Sequence, residues 1–139
     1  MSGVTHVVVG AVLGTIVNAP LSAFWVGVGS HLILDAIPHN EWFPIWLEAA
    51  FSFASIGLLC FFLHSTYPAA LWGALGAIVP DIEIVVLQLR RGREPKREEA
   101  LFHRLVYQPP AHGTLSQSIQ LVLLLMAAGY VGFLLWSQG

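Results

Sequence analysis

His31, Asp35 and His39 recur at four-residue intervals in the stretch HLILDAIPHN, within and just past a run apolar enough for lipid. On a helix such positions drift by only about 40° per step, so the three side chains form one stripe. Imidazole nitrogens and a carboxylate on one face suit zinc, manganese or iron, whereas an all-oxygen set suits magnesium or calcium. Pro38 removes a backbone donor and ends the helix, which lets His39 swing toward a shared centre. Asp81 and Glu83 follow Pro80 in IVPDIE. That proline should open the helical ladder, so that two acids otherwise about 200° apart can both face inward. His6, His103 and His112 complete the candidate donors.

Burial makes these residues expensive. An uncompensated acid at the middle of a spanning helix costs roughly 2.5 to 3.5 kcal/mol on insertion scales. No Lys or Arg lies within the apolar segments to pair with Asp35, Asp81 or Glu83, and a bound divalent cation would neutralise them. Each residue also has a plainer reading. His6 could be a hydrogen-bonded packing residue, His39 a turn residue, His103 ordinary loop surface and His112 a neighbour of a helix cap. Glu83 could cap, pair with Arg90 or orient a histidine. His64 reads as packing, and Glu41 and Glu48 as interfacial acids within reach of water.

The elements that would carry these groups are apolar. The chain has 139 residues, 56% hydrophobic and 10% charged, with a positive mean hydropathy, which points to a membrane protein of one domain, residues 1–139. Five apolar segments run from Thr5 to Val17, Leu21 to Ile37, Pro44 to Leu63, Ala69 to Leu89 and Leu115 to Trp136. The last three approach the twenty or so residues a spanning helix needs, and the first two are short enough to require a tight hairpin. The expected fold is all-α, a polytopic bundle of about five transmembrane helices. Gly27 and Gly29 should permit close helix approach. The lone cysteine, Cys60, excludes a disulfide framework within one chain and reads as a small packing residue.

All six basic residues fall between Arg90 and Arg104, so the loop of about residues 90–114 is expected to be cytoplasmic, and with five spans the amino terminus with it. The tryptophans fit aromatic belts at the two boundaries. The window RRGREPKREEA mixes both signs of charge and reads as a solvated segment touching anionic headgroups, not as a nucleic-acid site. On this topology every histidine except His64, together with Asp35, Asp81 and Glu83, falls on the cytoplasmic side. Lys and Arg alone set the topology, so that convergence is an independent observation.

At these residues the sequence resembles the YdjM-like family, membrane proteins described as LexA-binding, inner-membrane-associated, metal-dependent hydrolases. The resemblance runs through THVVVGAVLG, SHLILDAIPH, GAIVPDIEIV and LFHRLVYQPPAHGTLSQS in order. It implies polar positions at His6, His31, Asp35, His39, Asp81, His103 and His112. Two departures stand out: Glu83 where the family typically has Asp, and a stretched interval between His103 and His112. A fainter likeness, through His31, Asp35 and His39, is to zinc-dependent phospholipase C and related nucleases.

The expected function is a membrane-bound metal-dependent hydrolase of the inner (plasma) membrane acting on a phosphate ester or lipid. It would hold one to three divalent ions, zinc first, with manganese or iron compatible. The candidate metal ligands are His6, His31, Asp35, His39, Asp81, His103 and His112. An ion-activated water would attack a phosphoryl or carbonyl centre, with Glu83 as general base, His103 as general acid and Arg104 steadying the developing charge. The alternative is a non-catalytic metal-binding membrane protein, structural or transport-related. Membrane lipid is the expected partner, and no nucleic acid is expected.

Overall fold

The structure, a computed structural model, describes residues 1–37, 43–63, 65–93, 95–96, 99–106 and 113–137. Six helices follow in order: α1 (Gly3–Val17), α2 (Pro20–Asp35), α3 (Ile45–Leu63), α4 (Pro68–Arg91), α5 (Leu101–Arg104) and α6 (Gly113–Trp136), with no strand among the described residues. The all-α bundle is as expected. Of these helices α3, α4 and the Gln117–Trp136 part of α6 are long and apolar enough to cross a bilayer, and the chain is a membrane protein. α1 and α2, at 15 and 16 residues, are shorter.

The helix ends follow local rules. Ser2 caps α1, its hydroxyl accepting from the Thr5 amide. Asn18, at φ 52° in the left-handed region that Asn tolerates, ends α1 by donating to the Gly14 carbonyl. Pro20 then opens α2, where its missing N–H costs nothing. Pro68 does the same for α4, which stops at Gly92 with φ 64°. The expected α1–α2 hairpin is thus made by Asn18, Ala19 and Pro20.

α4 is the central helix, with α1 and α2 packed against it. A Cβ on Gly10 or Gly27 would press into the Gly73 carbonyl, and one on Gly76 into the Phe24 carbonyl. The three backbones therefore approach as small-residue seams allow in membranes. Gly27 makes the close approach expected of it, whereas Gly29 faces open space. Val7, Ala11, Leu59, Leu63, Ala70, Ala74 and Ile78 form the apolar core joining α1, α3 and α4.

Outward faces of α3 and α6 carry Phe53, Phe61, Phe62, Leu125, Met126 and Phe133, all exposed. Exposed apolar surface on this scale is what lipid covers. Trp25, Trp46, Trp72 and Trp136 also point outward. Cys60 is exposed on α3 as well, so the packing role expected of it is not what the fold uses.

Polar contacts tie α3 and α6 to the start of α1. Glu48 Oε2 accepts from the Gly3 amide at 2.9 Å and Gln120 Oε1 from the Ser2 amide at 2.9 Å, which satisfies donors that a helix start leaves over. Glu48, expected at a wetted interface, is instead buried between helices.

Candidate metal centre

The site forms where α1 begins and α2 finishes. His6 sits on the second turn of α1, His31 and Asp35 on the last two turns of α2, Asp81 just past Pro80 of α4, and His103 on α5. His6, His31 and Asp35 are all buried, at 1%, 0% and 5% exposure, so water cannot solvate them. Asp81 keeps a third of its side chain accessible.

Asp35 is the hub. Its Oδ1 lies 3.2 Å from His6 Nε2 and 3.1 Å from the Met1 amino group. Oδ2 lies 3.4 Å from His31 Nε2 and 3.4 Å from His103 Nε2. The same two imidazole nitrogens face Asp81 Oδ1, at 3.7 Å and 3.6 Å. Two donor groups result, His6–His31–Asp35 and His31–Asp81–His103, each with its ligand atoms close enough to hold one ion.

The tautomer of His31 follows from its partner. Its Nδ1 is 2.7 Å from the Ala77 carbonyl oxygen, an atom that can only accept. Nδ1 therefore carries the hydrogen in the neutral ring, and Nε2 presents a lone pair to the oxygens of Asp35 and Asp81. Three electron-rich atoms facing one another in a buried site are favourable only around a cation, a proton or a metal ion. A histidine whose second nitrogen donates to a carbonyl is also the usual arrangement of a metal ligand. By that test the residues fit a divalent ion.

Ring stacking adds order. His6 and His31 are stacked, with centroids 3.9 Å apart and planes 19° from parallel, while His31 and His103 meet edge to face at 5.5 Å.

Five expected ligands, His6, His31, Asp35, Asp81 and His103, are thus brought together. His39 and His112, with His64 and Glu41, lie outside the described residues. Glu83, expected as a general base, does something else: Oε1 accepts from the Leu101 amide at 2.7 Å and Oε2 from the Phe102 amide at 3.1 Å. Both oxygens cap the first turn of α5, because a helix start offers unpaired N–H groups to a nearby acid. Glu83 is therefore a positioning residue that delivers His103. Its substitution by Ala is expected to weaken metal affinity about 10- to 100-fold while Glu83→Gln, which keeps one acceptor, loses less. Titration with zinc, read by isothermal calorimetry on the detergent-purified protein, checks this; equal affinity in all three would refute it.

Arg104, expected to steady developing charge, is exposed on α5 next to His103. Further along the basic segment, Arg91 and Arg93 pair with Glu99. The Arg93 guanidinium donating to Glu99 holds that carboxyl below the usual carboxylate range. Sequence reasoning could not find these partnerships, nor the role of Glu48, because they join side chains to amides or charges that only the folded chain brings near.

Beside the cluster a mostly apolar cleft runs between α3 and α4, lined by Ile45, Ala49, Phe53, Ile78, Ile82 and Val85, with Asp81 also in its lining. No protein-family model, curated protein or solved structure matches the chain.

Proposed function

We propose that this chain is a metal-dependent hydrolase embedded in the inner (plasma) membrane, acting on a phosphate ester or lipid from a site at the cytoplasmic boundary. The observation that carries the metal half of this reading is the lone pair of His31 Nε2, fixed by the Ala77 carbonyl and aimed at two carboxylates. A divalent ion held there, zinc first, supplies Lewis acidity and lowers the pKa of a water toward neutrality. The hydrolytic half draws on the family resemblance and on access: Asp81 is part-exposed, and Arg104, exposed and next to His103 on α5, is the cation proposed to meet a phosphoryl oxygen. The cleft between α3 and α4 offers an acyl tail an apolar seat that includes Asp81 in its lining. The orientation follows the Lys and Arg of the 90–104 segment, and five spans require α1 and α2 to cross as a short hairpin.

A second reading, a site that only braces the bundle, is favoured by the burial of His6, His31 and Asp35. Elemental analysis of detergent-purified protein followed by a screen of phosphodiester and lipid substrates separates the two. The hydrolase reading expects bound metal and turnover that Asp81→Asn abolishes. Bound metal without turnover on any substrate favours the bracing reading. Metal-free protein whose thermal stability is unmoved by His31→Ala would end both.

A further inference from the structure

The two donor groups cannot be filled at once. Both need His31, whose Nδ1 is committed to the Ala77 carbonyl, so that a single nitrogen is left for a single ion. The geometry then chooses between the groups. A ligating imidazole binds along its in-plane lone pair, and the His6 and His31 planes lie stacked and nearly parallel. Their in-plane lone pairs run side by side and do not converge on one point. His31 and His103, at 89° to one another, can converge, and their Nε2 atoms face the same two oxygens.

Those four atoms are His31 Nε2, His103 Nε2, Asp35 Oδ2 and Asp81 Oδ1. The four nitrogen-to-oxygen separations among them are 3.4, 3.7, 3.4 and 3.6 Å. A tetrahedral ion with bonds of about 2.0–2.2 Å holds its ligand atoms roughly 3.3–3.6 Å apart. An octahedral magnesium with bonds of about 2.0–2.1 Å would draw neighbouring ligands to roughly 3 Å. Three of these four separations fall in the tetrahedral range and the fourth, 3.7 Å, lies just beyond it, so the nitrogen-to-oxygen spacing is nearer the tetrahedron than the octahedron. His6 reaches the other oxygen of Asp35, at 3.2 Å, which is a donor's distance to a carboxylate already turned toward the ion.

We infer that one tetrahedral ion is held by His31, His103, Asp35 and Asp81, and that His6 stands outside the coordination sphere as a positioning residue for Asp35. The inference rests on the metal reading above and narrows it to one ion with a named ligand set. A four-coordinate ion leaves no position for a water, so under the hydrolase reading His103, the one ligand on the short α5, is the donor that gives way to water and substrate.

The test is cobalt loading of the full chain in detergent, with Co²⁺ as the probe. One Co²⁺ per chain and the intense visible bands of four-coordinate cobalt are expected. His6→Ala should keep the bands and bind Co²⁺ about 10- to 100-fold more weakly, and His6→Gln, which keeps a donor for Asp35, should recover part of that loss. His31→Ala should lose the bands. Two ions per chain, the weak bands of six-coordinate cobalt in the wild type, or loss of the bands in His6→Ala would each overturn the inference while leaving a metal protein standing. Failure of the wild type to bind any Co²⁺ or Zn²⁺ would overturn the metal reading itself.

Discussion

Asp35→Ala is expected to abolish binding of the proposed ion and to cost about 3–5 kcal/mol of stability, the loss typical of removing one partner from a buried charged cluster. The size of the effect comes from how many groups this carboxylate serves. His6, His31, His103 and the Met1 amino group all lie within 3.4 Å of one or other of its oxygens. Without it, His6 and the Met1 amino group lose their acceptor in a water-poor pocket, and an ion held between His31 and His103 would lose half of its counter-charge. Asp35→Asn keeps the shape and one acceptor oxygen but removes the charge, and should lose the metal with a smaller fall in stability. Thermal unfolding in detergent combined with elemental analysis checks both. If Asp35→Ala retained its metal and melted within about 1 kcal/mol of the wild type, the cluster would have no hub.

Gly73→Leu should be as damaging, for a reason unrelated to charge. The place of a Cβ at residue 73 is taken by the Gly10 carbonyl of α1. Backbone cannot step aside as a flexible side chain does, so α1, which carries His6, and α4 would have to separate. A loss of about 3 kcal/mol or more is expected, at or above the upper end of ordinary overpacking. Gly29→Ala is the control. It stands on the same bundle with nothing near its added carbon, and should change stability by no more than about 1 kcal/mol, in the stabilising direction that Ala brings to a helix. Comparable melting of Gly73→Leu and Gly29→Ala would mean that the close approach of the backbones carries no energy.

Helix positions were legible because the apolar runs mark them, whereas the αL residues Asn18 and Gly92 that end α1 and α4 are evident only in the fold. The gathering of His6, His31, Asp35, Asp81 and His103 was legible too, from the cost of leaving ionisable groups in apolar helices and from the four-residue spacing of His31 and Asp35. What spacing could not reveal was the division of labour. Glu83 and Asp81 differ by two positions and both are acids, yet one faces imidazoles and the other caps α5. The difference is set by where the chain returns after the basic segment. Glu48 read as interfacial because it falls near the inner end of the third apolar segment, whereas its partner, the Gly3 amide, lies far back along the chain. Nor does sequence register that His6 and His31 stack, since ring orientation follows from the contact between α1 and α2.

The oxygen that settles the protonation pattern of His31 belongs to the main chain of α4, at Ala77, just ahead of Pro80. A carbonyl cannot be deleted by substitution, so side chains of α4 that do not set its packing can change without releasing the buried imidazole. Only a change that slides or bends the whole helix can unlock it. Variation at Ala77 itself should therefore be read by bulk, not by hydrogen-bonding capacity.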